Sequence, residues 1–292
     1  MKFPSTLTEA DRELYWRQGY LAYEEALTEE EVIGAKASIS DLVRDFAFNE
    51  EKAETIIPED ADGSNYSGAM FQSKTSRFFF QVEPGYTPNP QDIDSIEPKV
   101  RKFCWFEQEA PIFQHIALTH PRIIPLLEAL LEESIEIYQS MALLKPANGG
   151  VEKPWHQDNA YFRVMDLDKM VGVWIALDEA TAENGCMHVW PGGHRKGPLR
   201  HHHQGSDCEI LEDRMLEKDV VPVHLKPGGI LIFHSSLPHM TPVNRTPYRR
   251  RALQFHYRSK SNALVSHDDY NSIFKEADGT PASCMAARQE NF

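Results

Sequence analysis

No stretch of this 292-residue sequence approaches the ~20 consecutive apolar residues that a membrane-spanning helix needs. The N-terminus, MKFPSTLTEADRELYW, becomes acidic where a secretory signal peptide would be apolar, and no cleavage-site pattern follows it. We therefore expect no membrane partner and a cytoplasmic location.

Cysteine is also scarce. The four cysteines, Cys104, Cys186, Cys208 and Cys284, are widely spaced and form no CxxC pair. This spacing argues against a zinc ribbon and against a disulfide framework. We expect all four to be reduced thiols.

Positive charge is in short supply as well. Lysine and arginine together number 30 against 44 aspartates and glutamates, which gives a net charge of −14. A field of this sign repels phosphate backbones. Because the one basic cluster, Arg249-Arg250-Arg251, lies in a predicted strand, we expect no nucleic-acid partner.

The sequence does contain a clear change of hydrophobic period near residue 135. Upstream, Thr8-x-x-Asp11 and Thr28-x-x-Glu31 predict helix starts, the second as a capping box that opens a helix to about Phe46. Downstream, short apolar runs separated by glycine and proline indicate strands. These runs cover residues 135–144, 155–162, 171–177, 187–190, 220–225, 230–233 and 250–257.

This pattern predicts a mainly β fold with packed helices and a jelly-roll core. We expect one domain over 1–292, with a mainly helical part over 1–134, the jelly-roll core over 135–260 and a C-terminal tail over 261–292. The acidic segment 47–67 is predicted to be a surface loop. A plain solvated connection is the favoured interpretation of that loop, and a lid is the alternative.

Residues suited to holding iron follow the start of the second predicted strand. His156 and Asp158 lie two positions apart, and His239 comes later in the chain. Two imidazoles and one carboxylate suit Fe(II) held on one face, with three coordination positions left open. Side chains two apart on a strand point the same way, so His156 and Asp158 should project together while Gln157 points away.

An HxD pattern alone is weak evidence, because such short patterns arise often by chance. Its context strengthens it. The pattern follows Pro154 at a predicted strand start, His239 follows the strand GGILIFHSSLPH, and a strand-borne arginine comes next. On that last strand, alternation places Arg250, Gln254 and His256 on one face, which aims Arg250 into a polar cavity.

With these residues in place, the chain resembles the phytanoyl-CoA dioxygenase family of Fe(II)- and 2-oxoglutarate-dependent oxygenases over roughly residues 8 to 260. The stretches that carry the resemblance are YQSMALLKPANGG, PWHQDNAYF, GVWIALDEATAENGCMHVWPGGH, KPGGILIFHSSLPH and NRTPYRRRALQFHY. The resemblance implies a double-stranded β-helix, the cupin-like form of the jelly roll. It also implies an enzyme, a non-haem iron dioxygenase.

The resemblance further implies roles for individual residues. His156, Asp158 and His239 would be catalytic as the ligands of Fe(II), and Arg250 would bind the distal carboxylate of the cosubstrate 2-oxoglutarate. A planar guanidinium can pair with a carboxylate through two charge-assisted hydrogen bonds. The other cosubstrate contacts implied are Thr241, Trp174, Met141, Gln157, Gln139 and, as alternatives for one basic position, Arg101 and Lys102. Among these, Gln157 is at odds with strand alternation, which turns its side chain outward.

The implied reaction converts 2-oxoglutarate and O2 to succinate and CO2 while a C–H bond of a small organic substrate is oxidised. Asp158 favours hydroxylation over halogenation, because halogenating relatives replace this carboxylate with a small residue. The rival hypothesis is a non-catalytic 2-oxoglutarate- or metal-binding or sensory protein on the same fold. The presence of the three ligands together with Arg250 argues against that rival. A zinc hydrolase is a third hypothesis, weakened by the lack of an evident general base. The pattern assigns no oligomeric state.

Overall fold

The computed structural model describes residues 1–57, 68–204, 207–210 and 219–284. The α-helices are α1 (Glu9–Gln18), α2 (Glu29–Phe46), α3 (Pro111–Gln114), α4 (Ile123–Leu131) and α5 (His267–Ile273). The strands are β1 (Tyr20–Tyr23), β2 (Ala53–Ile56), β3 (Met70–Ser73), β4 (Phe79–Val82), β5 (Val100–Cys104), β6 (Ile135–Lys145), β7 (Lys153–His156), β8 (Met170–Ala176), β9 (His188–Val189), β10 (His201–Gln204), β11 (Asp207–Ile210), β12 (Val221–Pro222), β13 (Ile230–His234), β14 (His239–Thr241) and β15 (Arg250–Ser259). Short 3-10 turns cover Ile93–Ser95, Glu97–Lys99, Asp158–Ala160, Leu167–Lys169 and Gly193–Lys196, and a π-helical turn covers His115–Thr119.

The strands form two main antiparallel sheets and a separate β10–β11 pair. The larger sheet has nine strands in the order β1-β13-β8-β15-β6-β5-β4-β3-β2, and the smaller has four in the order β12-β9-β14-β7. Side chains of β8, β13 and β15 from the larger sheet pack with those of β9 from the smaller one in a single apolar cluster. The predicted mainly β fold with packed helices is confirmed.

Alternation along β8 divides the larger sheet into two faces. Val171, Val173 and Ile175 join the main core, which also contains the buried faces of α2 and α4. Trp174 and Ala176 join the cluster between the sheets. The helices therefore cover one face of the sheet, and the other face is left for the interior of the jelly roll.

The N-terminal part contains strands as well as helices α1 to α4. Among the described residues before 135, five strands, β1 to β5, belong to the larger sheet, and β2 lies within the segment predicted to be a loop. Residues 58–67 of that loop lie outside the described part of the chain. The sequence predicts a short strand over residues 19–23, and β1 confirms it. Strands β2 to β5, of four or five residues, carry too little periodicity to be recognised, and their pairing with distant partners decides their conformation.

Both predicted helix starts are confirmed. The Thr8 and Thr28 side chains each accept a hydrogen bond from the backbone N–H three residues on, and Asp11 and Glu31 complete capping boxes. α2 ends at Phe46, as predicted. In the part of the chain that is described, no helix has both the length and the apolar character needed to cross a membrane.

The expectation of four reduced thiols is wrong for two of them. Cys208 on β11 and Cys284 near the chain end are joined by a disulfide, whereas Cys104 and Cys186 are free and buried. The bond fixes the C-terminal segment beside the β10–β11 pair, where Tyr270 and Phe274 of α5 pack with Cys208 in a small apolar cluster. The predicted tail is therefore a packed part of the structure as far as residue 284.

Candidate active site

Two neighbouring strands of the smaller sheet position the two histidines. His239 begins β14 and lies directly opposite His156, the last residue of β7. Their ring centroids are 4.2 Å apart, and both side chains are buried. The hydrogen-bond ladder between the strands therefore sets the spacing of the two imidazoles.

The partners of these rings fix which nitrogen carries the proton. His156 Nδ1 lies 2.8 Å from Pro154 O, and His239 Nδ1 lies 2.9 Å from Leu237 O. A carbonyl oxygen only accepts, so both Nδ1 atoms donate, and in the neutral rings both Nε2 atoms keep a free lone pair. Metal-binding histidines have this arrangement, with the second nitrogen bonded to a carbonyl or carboxylate.

Asp158 completes the group. Its Oδ1 lies 3.3 Å from His156 Nε2 and 3.7 Å from His239 Nε2. The three ligand atoms all lie within 4.8 Å of one another. The lone pairs of the two imidazole nitrogens and of the carboxylate oxygen face one another and repel. A cation bound between these three atoms removes the repulsion. The donor set, two nitrogens and one oxygen, fits a divalent transition metal such as Fe(II).

The predicted strand ends earlier than expected. β7 ends at His156, and Asp158 opens the 3-10 turn Asp158–Ala160. Gln157, between them, keeps an extended backbone with φ −111° and ψ 129°. His156 and Asp158 therefore project to the same side, as alternation predicts.

His256 holds the other oxygen of Asp158. Its Nε2 lies 2.7 Å from Asp158 Oδ2, and both side chains are buried. Burial works to raise the pKa of Asp158, but the neighbouring His256 and His239 outweigh it and hold this pKa well below its ordinary value. Burial, followed by the nearby His156, lowers the pKa of His239 to about 3. At neutral pH the site therefore combines an ionised carboxylate with a neutral His239.

Arg250 lies in the same cavity as the three ligands. Its side chain is fully buried, one Nη donates to Leu143 O at 3.0 Å, and its Cζ lies 5.3 Å from the centroid of the Trp174 ring. Burial lowers the pKa of Arg250 to about 10, so the guanidinium stays charged at neutral pH. Its Nε has no hydrogen-bond partner among the described residues. An anion is the natural partner for such a group.

The remaining predicted cosubstrate contacts divide into two groups. Five of them line the cavity together with Arg250 and the three ligands: Gln139, Met141, Arg101, Lys102 and Thr241. Trp174 instead packs behind Arg250 and takes no part in the lining.

Gln157 points away from the cavity, as alternation predicts. Its amide nitrogen donates to Gly197 O at 3.0 Å and Ser236 O at 2.7 Å, and its amide oxygen accepts from Leu199 N at 2.8 Å. Because the whole amide group is bonded to the backbone, Gln157 supports the wall of the site. The structure gives no support to its predicted contact with the cosubstrate.

Sequence reasoning missed several residues of the cavity wall: Glu83, Lys145, Lys153, Tyr161 and Phe162. Lys145 is the most unexpected, since its side chain is only 5% exposed. Lys145 follows a predicted strand and directly precedes Pro146, a position that does not indicate a buried side chain. The register of β6 against β15, which places Lys145 opposite Arg250, could be recognised only once both strands were paired.

A second group of potential ligands, Glu31, His115 and His120, lies elsewhere in the fold. His120 Nδ1 accepts hydrogen bonds from Arg122 N at 3.3 Å and Ile123 N at 3.1 Å. Its proton is therefore on Nε2, which lies 3.4 Å from Glu31 Oε1. This tautomer is the opposite of that at His156 and His239, and it leaves no lone pair for a metal. The group joins the start of α2 to the helices beside it.

Comparison with known proteins gives one consistent result. The sequence profile of the family described as phytanoyl-CoA dioxygenase (PhyH) matches residues 15–252. The chain is 25% identical over 288 residues to phytanoyl-CoA dioxygenase domain-containing protein 1 of Danio rerio, a match that covers 92% of this chain and 96% of that protein.

Solved structures share the fold. The crystal structure of EctD from S. alaskensis with bound Fe has a TM-score of 0.65 at 21% identity, over 89% of this chain and 79% of EctD. EvdO2 from Micromonospora carbonacea var. aurantiaca, complexed with 2-oxoglutarate, has a TM-score of 0.61 at 25% identity, over 91% of this chain and 96% of EvdO2. The predicted cofactors, Fe(II) and 2-oxoglutarate, correspond to the groups bound in these two proteins.

The family profile covers well over half of the chain, and it includes all three predicted iron ligands and Arg250. The jelly-roll core and the enzyme class implied by the sequence motifs are thereby confirmed. The chain belongs to the phytanoyl-CoA dioxygenase family of Fe(II)- and 2-oxoglutarate-dependent oxygenases.

Proposed function

We propose that this protein hydroxylates a C–H bond of a small organic substrate, with O2 and 2-oxoglutarate consumed and succinate and CO2 released. His156, Asp158 and His239 hold Fe(II). The observation that carries the proposal is the convergence of two imidazole lone pairs and an ionised carboxylate in the same cavity as the buried Arg250.

Each part of the site has a separate task. When bound, iron would supply the activation of O2 and of the substrate C–H bond. Arg250 and the hydroxyl of Thr241 bind the distal carboxylate of 2-oxoglutarate, which orients the keto acid end toward the ligands. Apolar side chains in the lining, such as Met141, Leu143, Phe162 and Met187, exclude water from the reacting centre.

The charge of the cavity supports an anionic cosubstrate. The whole chain carries a net charge of −14, yet the lining contains five cations and only two carboxylates. The cations are Arg101, Lys102, Lys145, Lys153 and Arg250, and the carboxylates are Glu83 and Asp158. This surplus of basic side chains, to which a divalent metal would add, favours the binding of an anion such as a dicarboxylate. The cavity measures about 230 Å³, below the 300–1,000 Å³ typical of pockets for drug-sized ligands, which suits small molecules.

Hydroxylation is the proposed outcome because Asp158 occupies the third ligand position. Its carboxylate fills the place that a halide would need, and His256 holds it there. Arg250 remains available for a carboxylate from the cosubstrate.

Succinate formation tests the proposal directly. Purified protein loaded with Fe(II) under anaerobic conditions is exposed to O2 and 2-oxoglutarate, and succinate is quantified with and without each component. We expect succinate only when all three are present, a loss of at least about 100-fold in His239→Ala, and a large rise in the 2-oxoglutarate KM in Arg250→Met. Arg17→Met, at an exposed position on α1, is the matched control and should behave as the wild type.

The rival hypothesis of a binding or sensory protein predicts a different result. It requires 2-oxoglutarate to bind while no succinate forms under any condition, with or without candidate substrates. That result, together with tight ligand binding to metal-free protein, would overturn the proposed enzyme function.

A further inference from the structure

Lys145 lies directly opposite Arg250 in the antiparallel pair of β6 and β15. Directly opposed residues project from the same face of a sheet, with Cβ atoms about 4.5–5.5 Å apart. Both side chains line the cavity, and both are buried, at 5% exposure for Lys145 and 0% for Arg250. Two basic side chains therefore lie side by side in the lining of the site.

The backbone around Lys145 is shaped to receive its side chain. A Cβ on Gly150 would lie 3.0 Å from Lys145 Cβ, and a Cβ on Gly185 would lie 2.8 Å from Lys145 Cδ. Both glycines also have positive φ, which a side chain would make strained. Lys145 Nζ donates to Val151 O at 2.7 Å and to Thr241 O at 3.4 Å. An ammonium has three N–H donors, so one is left for a further acceptor.

Within the described residues, no carboxylate forms an ion pair with Lys145 or Arg250. The groups that act electrostatically on Lys145 are Arg250 and Arg101, which disfavour its charge, and Glu83 and Glu152, which favour it. Glu83 Oε2 accepts from Val151 N at 3.3 Å and so is directed to the backbone. Buried charges without a partner are costly. The pair of cations is arranged for an anion that arrives from outside.

We propose that Lys145 is a second cationic contact for the distal carboxylate of 2-oxoglutarate, beside Arg250, and that binding of the cosubstrate fixes its charged form. The inference rests on the proposed function and adds to it a residue that no sequence motif indicated. The position opposite Arg250 favours the cosubstrate over the substrate as the source of the anion.

The charge state of Lys145 makes 2-oxoglutarate binding depend on pH, and this dependence can be measured. Burial, and then the adjacent Arg250, lower the pKa of Lys145 to about 7. Without an anion the amine is therefore largely neutral at pH 8 and largely charged at pH 6. A bound carboxylate raises this pKa, so binding at pH 8 takes up a proton from the solvent. The affinity for 2-oxoglutarate is constant below the free-site pKa and falls as pH rises above it.

Calorimetry of 2-oxoglutarate binding to the Mn(II)-loaded protein tests the inference. Titrations at pH 6 and pH 8, each in two buffers of different ionisation enthalpy, give both the affinity and the number of protons taken up. In the wild type we expect proton uptake approaching one at pH 8 and little at pH 6. Lys145→Met should bind 2-oxoglutarate about 10- to 100-fold more weakly at pH 6, because one charge-assisted hydrogen bond is lost. At pH 8 its binding should no longer take up the extra proton. Lys260→Met, at an exposed position, is the control.

The outcomes separate the two proposals. If the wild type does not bind 2-oxoglutarate at all, the proposed function itself fails. If the wild type binds but Lys145→Met binds equally well with the same proton uptake, the proposed function stands and the role of Lys145 is wrong. Should Lys145→Met fail to fold, the wild-type measurement decides alone, since affinity that does not change from pH 6 to pH 8 overturns the inference.

Discussion

His256 donates a hydrogen bond from Nε2 to Asp158 Oδ2 over 2.7 Å, and Oδ1 of the same carboxylate faces His156 and His239. The bond fixes the plane of the carboxylate from the side opposite to the ligand atoms. We expect His256→Phe to lower the affinity for Fe(II) by about 10- to 100-fold, the usual effect of removing such an outer partner. Competition with a chromophoric chelator under anaerobic conditions measures it.

His256→Gln is the matched variant, because its amide retains an N–H donor. Its loss of metal affinity should be smaller than that of His256→Phe, whereas a purely space-filling role for His256 predicts the reverse order. Equal affinities in both variants and the wild type would show that the bond to Asp158 does not position the ligand.

Gly172 on β8 makes room for Phe233. A Cβ at this position would lie 2.3 Å from Phe233 Cζ, and the Phe233 ring centroid is 4.9 Å from that of His239. Gly172→Ala should therefore destabilise the fold by about 1–3 kcal/mol through overpacking and weaken metal binding by displacing His239. Urea unfolding and chelator competition report the two effects. Adding Phe233→Leu should recover part of both, and Gly149→Ala, whose new Cβ meets nothing closer than 3.8 Å, should change neither.

Asp178 binds Arg251 at the start of β15. It accepts two side-chain hydrogen bonds from Arg251, at 2.8 and 3.0 Å, and an ion pair from Lys36 at 2.8 Å. Burial raises the pKa of Asp178, but Arg251 and Lys36 outweigh it, and the net pKa is lowered. Because the folded-state pKa is below the unfolded one, the stabilisation is complete above about pH 4 and is lost as the pH falls through the folded-state value.

Asp178→Asn should accordingly cost about 2 kcal/mol at pH 7, between the values for exposed and for buried ion pairs, because Asp178 and Arg251 are only partly buried. The difference from the wild type should shrink as the pH falls below about 4. Urea unfolding at pH 7 and at pH 3 measures both. Asp45→Asn, which removes a half-exposed pair with Lys52, should cost at most about 1 kcal/mol. A difference for Asp178→Asn that is independent of pH would contradict the assignment.

The disulfide between Cys208 and Cys284 closes a loop with a sequence separation of 76 residues. Constraint of the unfolded chain by such a link contributes about 2–5 kcal/mol to stability. Cys284→Ser should therefore lower the free energy of unfolding by this amount, and a reductant should have the same effect on the wild type. The reductant should not destabilise Cys284→Ser further. If it does, another thiol is responsible.

Local periodicity was enough to predict the parts of the site that depend on one strand. Along β8, Val171, Val173 and Ile175 face the main core while Trp174 faces the other way, as alternation requires. The same rule correctly placed Arg250 and His256 on the cavity face of β15. Period-two alternation needs no knowledge of the partner strand, so it can be recognised in the sequence.

Features that depend on distant pairing could not be predicted in this way. The burial of Lys145 follows from its register against β15, and the bond between Cys208 and Cys284 follows from how the chain end folds back. In both cases the deciding contact is far away in the sequence. The turn at Asp158 is a local feature that was missed for another reason: Tyr161 N donates to Asp158 O at 2.9 Å, and period-two alternation does not reveal such a bond.

The direct pairing of His156 with His239 across β7 and β14 has a consequence for how this protein can change. The distance between the two imidazoles is set by the spacing of neighbouring strands in the sheet, not by any connecting loop. Loops around the cavity can therefore be lengthened, shortened or exchanged while the spacing of the two histidines is kept. A scaffold of this kind can acquire a new substrate without any change to the proposed iron site.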